Sequence, residues 1–206
     1  MIKVPATQAG FEAMEALFAL GIHVNATLIF SPLQAKGCLD AFEKGLKAFH
    51  DKGLDSEAPQ AVISIFVSRF DRKMNGMLSE KSLPLNQVGI LNATAIYHDI
   101  KQRDIKGVRT LFASTGVKGD DLVKDHYITE LLFEDCVNTA PIETIDAFLN
   151  NKDASIKTPA SKAEIETFFA KLQQAGIEMN PIYTALMQEG LEGFNEAFEA
   201  ILKELS

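Results

Sequence analysis

The sequence predicts an α/β fold built on a parallel sheet, followed by a helical extension. Short runs of β-branched and apolar residues alternate with amphipathic helical stretches, which is the pattern of successive βα units. After residue 159 the pattern changes to helices only. The 206 residues are therefore expected to form one domain, residues 1–206, with residues 160–206 as a helical extension of the same domain.

Three strands are predicted in the first part of the chain, at residues 1–5, 22–30 and 61–67. The second is nearly continuous in apolar and β-forming residues, as expected when both faces of a strand are buried. A helix is expected after each of the first two strands. One ends near Gly21, and the other begins at Ser31 with Pro32 in its first turn. The polar residues 51–59 are predicted to form a loop.

Two further strands are predicted, at residues 108–113 and 135–139. Helices are expected at residues 86–105 and between the fifth strand and Leu149. Residues 71–84 contain charges, Gly76 and Pro84, so we expect them to form a surface excursion. Residues 114–124 are predicted to form a loop.

The helical extension carries its own boundary signals. Ser161 and Glu164 have the spacing of a capping box, and Gly176 is expected to end that helix. Pro181 is expected to lie at the start of the last helical segment, which Gly190 is expected to break. Because a closed barrel of this class needs eight strands, the predicted sheet is either incomplete or differently connected.

The net charge of −8 argues against a protein that binds nucleic-acid backbones, whose affinity depends on clustered Lys and Arg. It is compatible with a small phosphorylated substrate, which needs only one or two local cations. Cys38 and Cys136 form no CxxC pair, so free buried thiols in a cytosolic protein are expected. No targeting segment and no run of about 20 apolar residues is visible. We therefore expect a cytoplasmic protein without nucleic-acid or membrane partners.

Lys3 lies within the first predicted strand, among apolar residues. An ammonium group removed from water tends to lose its proton, and the neutral amine can attack a carbonyl group to form a Schiff base. The alternative is an exposed lysine on a frayed terminal segment. The position of the residue by itself leaves both interpretations open.

Polar side chains also occur inside or directly after the other strands. Asn25 and Thr27 are two residues apart in the second strand, so they point to the same side. Ser64 interrupts the third apolar run, and Ser114 and Thr115 follow the fourth strand. Each of them singly can be a buried group bonded to a backbone carbonyl. Together they indicate a polar interior suited to a sugar, whose unpaired hydroxyls would cost about 1–3 kcal/mol each in a dry pocket.

Two cations follow strand ends: Arg69 after the third strand and Lys118 after the fourth. An arginine in this position can hold a phosphate group with two parallel hydrogen bonds, and a lysine can add a point charge. The alternatives are an ion pair between Arg69 and Asp71, and a solvated Lys118 next to Asp120.

Metal sites and several common catalytic motifs are not expected. The four histidines have no HxxxH or HExxH spacing and no cysteine pair nearby; they are His23, His50, His98 and His126. The sequence contains no GxGxxG segment, no P-loop and no GxSxG elbow.

Six segments, in order along the chain, resemble the sequence blocks of transaldolases. Residues 2–7 (IKVPAT) resemble the block around the family's Schiff-base lysine, and residues 21–31 (GIHVNATLIFS) resemble its GIxVNxTLxFS block. Three shorter segments are similar to the VSRxD, ASTGxK and VNTxP blocks: residues 67–71, 112–118 and 137–141. Residues 190–198 resemble the family's final helix. Because the six follow in register, the match is specific to this family.

The resemblance implies a (β/α)8 TIM-barrel fold and the transfer of a dihydroxyacetone unit between sugar phosphates, through a lysine Schiff base and without a metal or organic cofactor. The reaction, in the non-oxidative pentose phosphate pathway, converts sedoheptulose 7-phosphate and glyceraldehyde 3-phosphate to erythrose 4-phosphate and fructose 6-phosphate. Lys3 would be the nucleophile, and Thr27 would hold the catalytic water. The implied substrate contacts are Asn25, Ser64, Phe66 and Ser114, with Arg69 and Lys118 on the phosphate.

By the same resemblance, residues 1–5 correspond to strand four of the barrel, so this chain is expected to hold about strands four to eight. The Asp that acts as general acid and base in the family lies on an earlier strand, together with an Asn and a Glu of the site. Without that Asp, the chain alone is expected to be severely impaired. We expect a monomer or homodimer, with the earlier strands as a candidate partner if they form a separate piece.

Two alternatives to a transaldolase stay open at this point. One is another class I aldolase of the same barrel type, such as a fructose-6-phosphate or deoxyribose-phosphate aldolase. The other is an inactive, incomplete barrel that acts as a binding module.

Overall fold

The five predicted strands form one parallel sheet in chain order. In the computed structural model, which describes residues 1–53, 57–119 and 121–205, the strands are β1 Ile2–Pro5, β2 Val24–Ile29, β3 Ala61–Phe66, β4 Val108–Ala113 and β5 Cys136–Asn138. Each strand pairs in parallel with the next, so their order in the sheet is β1-β2-β3-β4-β5. This confirms the α/β class, and the strand order is that of a (β/α) barrel.

Helices connect the strands and extend the chain beyond β5. They are α1 Gln8–Ala19, α2 Pro32–Asp51, α3 Ser68–Glu80, α4 Val88–Arg103, α5 His126–Glu130, α6 Ile142–Asn150, α7 Lys162–Gln174 and α8 Met179–Leu205. A crossover connection between consecutive strands is what parallel pairing requires. No helix among the described residues is both long and apolar enough to span a lipid bilayer.

Capping boxes start two of these helices. The sequence predicts the box at Ser161, and at Ser31 it predicts only the start of the helix. The backbone N–H of Gln34 donates to Ser31 Oγ at 3.1 Å, and the Ser31 N–H donates back to Gln34 Oε1 at 3.0 Å. Pro32 follows in the first turn, where its lack of an N–H leaves no helical bond unmade. Ser161 and Glu164 form the same reciprocal pair at the start of α7. These local bonds determine where the chain leaves β2 and where the helical extension begins.

The predicted surface excursion at residues 71–84 is wrong. Most of these residues belong to α3, whose charged residues and Gly76 had suggested a loop. The opposite side of the helix is buried at helical spacing, by Phe70, Met74 and Leu78. The predicted loops at residues 51–59 and 114–124 include residues 54–56 and 120, which lie outside the described residues.

The sheet is covered on both faces, because alternate strand residues point to opposite layers. Val4, Ala26 and Ile63 belong to a core that they share with α1, α2 and α4. Val62 and Leu111 belong to a second core, which includes four buried side chains of the helical extension: Phe168, Leu172, Ile177 and Leu186. The helical extension therefore packs on the face of the sheet away from α1 and α2.

Gly190 lets α8 pass close to β2. The helix continues through this residue, so the predicted break is wrong. A Cβ atom on Gly190 would lie 2.8 Å from the side chain of Leu28, which is fully buried. Leu28 has a φ of 60° at the register shift between Ala26 and Ile29, so β2 bulges where the helix crosses it. The glycine serves close packing rather than a helix end.

We expect Gly190→Ala to destabilise the protein relative to Gly193→Ala. Both changes remove a helical glycine, which by itself favours the helix by about 1 kcal/mol. Only at Gly190 does the added methyl group meet the Leu28 side chain, because nothing lies within 4 Å of a Cβ atom at Gly193. Urea denaturation should show a free energy of unfolding about 1–3 kcal/mol lower for the Gly190 variant. Equal stability of the two variants would contradict this packing.

Candidate active site

Three neighbouring strands place Lys3, Asn25 and Ser64 together. Lys3 pairs with Asn25 in the parallel register, so their side chains leave the sheet on the same side. Val4, the next residue, is buried in the core shared with α1 and α2, so Lys3 projects from the opposite face. The Ser64 hydroxyl in β3 donates to Asn25 Oδ1 at 2.7 Å. An amine, an amide and a hydroxyl from consecutive strands thus adjoin each other.

Lys3 is exposed, which corrects the expectation of an amine sheltered from water. The physical reason is that β1 pairs only with β2 among the described strands, so one side of β1 is open. The residue does not lie on a frayed segment either, since the Ile2 N–H donates to the His23 carbonyl at 2.8 Å. Lys3 Nζ lies 5.5 Å from the centre of the Phe194 ring in α8, a cation–π distance. The amine therefore stands between the sheet and the last helix.

Asn25 and Thr27 retain hydrogen-bonding capacity. Asn25 Oδ1 accepts the Ser64 hydroxyl, and in the described part of the chain Asn25 Nδ2 has no protein partner. Thr27 is 1% exposed, and no described residue bonds to its Oγ1. A buried hydroxyl without a partner costs about 1–3 kcal/mol. The site therefore favours a bound group that supplies these hydrogen bonds.

The end of β3 and the start of α3 place an aromatic ring beside a cation. The Arg69 guanidinium lies 5.1 Å from the centre of the Phe66 ring, which makes a cation–π contact. Burial lowers the pKa of Arg69, as does repulsion from Arg72, while attraction to Glu189 opposes this shift. The guanidinium stays protonated at neutral pH, because an arginine side chain does not lose its proton in proteins.

Arg69 lines a cleft between α3 and α8. The cleft has a volume of about 500 Å³, and its other lining residues are Arg72, Lys73, Leu186 and Glu189. Lys73 Nζ and Glu189 Oε1 form an ion pair at 2.5 Å. Three cations and one carboxylate thus gather where α8 meets α3, which is a suitable environment for an anion.

Ser114 and Thr115 follow β4, and their hydroxyl groups have different hydrogen-bond partners. Ser114 has a φ of 53°, and its Oγ lies 3.1 Å from Ser68 Oγ at the start of α3. Thr115 is buried, and its hydroxyl donates to the Thr139 carbonyl at 2.5 Å. For Thr115 the simpler interpretation, a buried hydroxyl bonded to a backbone carbonyl, is confirmed.

Lys118 is exposed in the segment after β4. It is not among the described residues that line the cleft around Arg69. Its combination with Arg69 around one phosphate group stays a prediction. Asp120, the expected neighbour of Lys118, lies outside the described residues.

Asp71, which the sequence suggested only as an ion-pair partner of Arg69, is a buried carboxylate that joins α3 to α4 and α5. Asp71 is 1% exposed. Its Oδ2 accepts the Tyr127 hydroxyl at 2.8 Å, and its Oδ1 accepts the Gly89 N–H at 3.4 Å. The suggested ion pair between Arg69 and Asp71 is therefore wrong, because the carboxylate faces the protein interior. Burial raises the pKa of Asp71, and the two hydrogen bonds oppose the shift.

Sequence reasoning also missed Glu189 and Phe194, which reach the site only because α8 packs across the sheet. The resemblance of residues 190–198 to the family's final helix predicts a helix there, but it does not predict the contact of that helix with the sheet. Asp71 did have a signal, since it lies three residues before Met74 and so on the buried side of α3. Identification of α3 as a helix would therefore have predicted the burial of Asp71.

The sequence matches known proteins over its whole length. Residues 1–205 match a family model described as Transaldolase/Fructose-6-phosphate aldolase. The chain is 47% identical over 210 residues to a protein named Transaldolase from Campylobacter jejuni subsp. jejuni serotype O:6, and 41% identical over 203 residues to one of that name from Helicobacter pylori strain P12. These alignments cover 100% and 98% of the chain but 62% and 60% of the relatives. The chain thus spans about three fifths of the length of these relatives.

We expect Asp71 to make the stability of the protein fall as the pH rises above about 4. A carboxyl group with a raised pKa in the folded state stabilises that state fully below its unfolded pKa. This contribution is lost as the pH rises through the folded pKa. The difference in the free energy of unfolding between wild type and Asp71→Asn should therefore decrease from about pH 3 to about pH 7, as measured by urea denaturation.

The Tyr127→Phe background provides the control for this pH dependence. The Tyr127→Phe change removes a hydrogen bond that favours the ionised form of Asp71. In this background, the effect of Asp71→Asn on the free energy of unfolding should therefore decrease more strongly with pH. A difference that stays constant or increases with pH is incompatible with a raised pKa of Asp71.

Proposed function

We propose that this chain, which belongs to the transaldolase/fructose-6-phosphate aldolase family, is the Schiff-base part of a transaldolase. The enzyme would transfer a dihydroxyacetone unit from a ketose phosphate to an aldose phosphate. The observation that carries the proposal is the position of Lys3, an amine on the same side of the sheet as Asn25 and Ser64.

In the proposed reaction, the neutral amine of Lys3 attacks the C2 carbonyl of the ketose. Loss of water gives an iminium ion, which accepts the electron pair of the C3–C4 bond while the C4 hydroxyl loses its proton. An aldose phosphate leaves, and an enamine of dihydroxyacetone stays on the lysine. The enamine adds to the carbonyl carbon of the acceptor, whose oxygen takes up a proton. Water then hydrolyses the new iminium ion and releases the ketose.

The proton transfers at C4 need a general acid and base. The resemblance assigns this role to an Asp on an earlier strand of the barrel, outside the six matched segments. Such catalysis is worth about 10²–10⁴ in rate. We therefore propose that the chain reaches full activity only with that segment, in the same polypeptide or as a separate piece.

Polar groups on β2 and β3 would bind the part of the substrate that stays on the enzyme. Asn25 Nδ2 and the Ser64 hydroxyl would bond to hydroxyls of the dihydroxyacetone unit. Thr27 Oγ1 would hold the water that hydrolyses the Schiff base. The burial of Thr27 Oγ1 without a described protein partner supports this role.

The other proposed contacts lie near the ends of β3 and β4. Phe66 would pack beside the Schiff base, and Ser114 would bond to the substrate. Arg69 would bind the phosphate group, with Lys118 as an additional cation. The place of Arg69 in the first turn of α3 supports this, because backbone N–H groups at a helix start also attract anions.

The proposed reaction belongs to the non-oxidative pentose phosphate pathway. Its donors would be sedoheptulose 7-phosphate or fructose 6-phosphate, and its acceptors erythrose 4-phosphate or glyceraldehyde 3-phosphate. We further propose a cytoplasmic monomer or homodimer that needs no metal or organic cofactor and binds neither nucleic acid nor membranes.

A second candidate is an aldolase that releases free dihydroxyacetone, because the matching family model covers fructose-6-phosphate aldolases as well. An assay with fructose 6-phosphate separates the two. A transaldolase releases little dihydroxyacetone until an acceptor aldose phosphate is added, whereas an aldolase releases it without an acceptor. A protein that does neither and forms no Schiff base would be a binding module.

Borohydride should trap dihydroxyacetone on Lys3, because it reduces the iminium ion to a stable amine. Mass spectrometry of the product of the complete reading frame, treated with fructose 6-phosphate, should show the adduct, and Lys3→Ala should abolish it. Lys36→Ala is the matched control, since Lys36 is an exposed lysine on α2 paired with Asp40. An adduct that survives Lys3→Ala, or no adduct in the wild type, would disprove the assignment.

Thr27→Val should lower kcat by about tenfold to a hundredfold without loss of stability. The change removes the hydroxyl that would position water, and it also removes a buried polar group without a partner. Thr110→Val is the matched control, because Thr110 Oγ1 is likewise buried and unpaired among the described residues. Thr110 pairs with Ile63 and so faces the helices instead. An equal loss of kcat in both variants would refute the role of Thr27.

A further inference from the structure

α8 connects the two ends of the proposed site. Glu189 pairs with Lys73 of α3, and Phe194 lies 5.5 Å, measured to its ring centre, from Lys3 Nζ in β1. A helical rise of about 1.5 Å per residue separates Glu189 from Phe194 by roughly 7.5 Å along α8. One helix therefore contacts both the amine that would hold the ketose carbon and the cations that would hold its phosphate.

Glu189 is the only acid among the described residues that line the cation cleft. Arg69, Arg72 and Lys73 lie close together near the start of α3, so they repel one another. One carboxylate offsets one of these three charges, and two positive charges remain. A phosphate group carries about two negative charges and three acceptor oxygens, so it can bond to all three cations only when the carboxylate leaves Lys73.

The Lys73–Glu189 pair is accessible to an incoming anion. The two side chains are 29% and 52% exposed, and exposed ion pairs contribute only about 0–1 kcal/mol. α8 is held independently of this pair by Leu186, which is 1% exposed, and by the contact of Gly190 with β2. The carboxylate can therefore leave Lys73 while α8 stays in place.

We infer that Glu189 is an internal counter-ion that sets the affinity of the cleft for phosphate, because a phosphate group must displace it from Lys73. The inference rests on the proposed function, in which the cleft receives the phosphate of each substrate. In that reaction the dihydroxyacetone unit stays on Lys3 while one phosphorylated aldose leaves and another enters. A carboxylate that returns to Lys73 as the phosphate departs favours this exchange.

The test compares two variants that break the same ion pair from opposite sides. Inorganic phosphate is titrated by calorimetry into the product of the complete reading frame at constant ionic strength, since salt screens exposed charges. Glu189→Gln should bind phosphate about two- to fivefold more tightly, the size of one exposed ion pair. Lys73→Gln should bind it more weakly by a similar factor.

Glu192→Gln is the matched control for a charge change on α8. Glu192 bonds to Gln188 and does not line the described cleft, so its variant should bind phosphate like the wild type. If the Lys73–Glu189 pair had only a structural role, Glu189→Gln and Lys73→Gln would change phosphate affinity in the same direction. That outcome, or unchanged affinity in Glu189→Gln, would overturn the inference.

A second measurement separates this inference from the proposed function. Borohydride trapping of unphosphorylated dihydroxyacetone on Lys3 does not involve the cleft, so it should be equal in wild type and Glu189→Gln. Normal trapping with unchanged phosphate affinity would overturn the role of Glu189 and leave the function intact. If Glu189→Gln and Lys73→Gln change phosphate affinity in opposite directions but no adduct is trapped on Lys3, the counter-ion role is supported and the proposed function is disproved.

Discussion

The parallel backbone register of β1, β2 and β3 is the constraint on which the proposed site depends. Backbone hydrogen bonds align Lys3 with Asn25, and the alternation of side chains then directs both to the face away from α1 and α2. A shift of one residue in β1 would turn Lys3 toward those helices and place Val4 on the polar side. The apolar burial of Val4 therefore keeps the amine where a sugar carbonyl can reach it.

The path of α8 adds what the sheet alone does not provide. Because Gly190 has no side chain, the helix approaches β2 at Leu28 and carries Phe194 over Lys3. The same helix directs Glu189 toward the start of α3. Helical extension and sheet thus form one site, with an aromatic ring at the amine and a carboxylate at the cations. A side chain at position 190 would push α8 away from β2, and so would move both Phe194 and Glu189.

The orientation of α3 depends on a buried polar network rather than on a side-chain cap. Asp71 receives hydrogen bonds from Tyr127 in α5 and from the Gly89 N–H at the start of α4. A Cβ atom at Gly89 would lie 2.3 Å from the Val67 carbonyl, so α4 packs directly on the junction between β3 and α3. Arg69 lies in that junction. The cation cleft is therefore positioned by neighbouring helices that contribute no residue to it.

The sequence by itself determined the order and type of the strands, the helix starts at Ser31 and Ser161, and the polar residues of β2 and β3. These features depend on local propensity and on neighbouring residues, so a short segment is enough to predict them. Only the tertiary structure decided the exposure of Lys3, the burial of Asp71, and the contacts of α8 with the site. Exposure and charge pairing depend on which distant elements cover a residue, and charges and glycines in α3 and α8 look like loop signals until their packing partners are known.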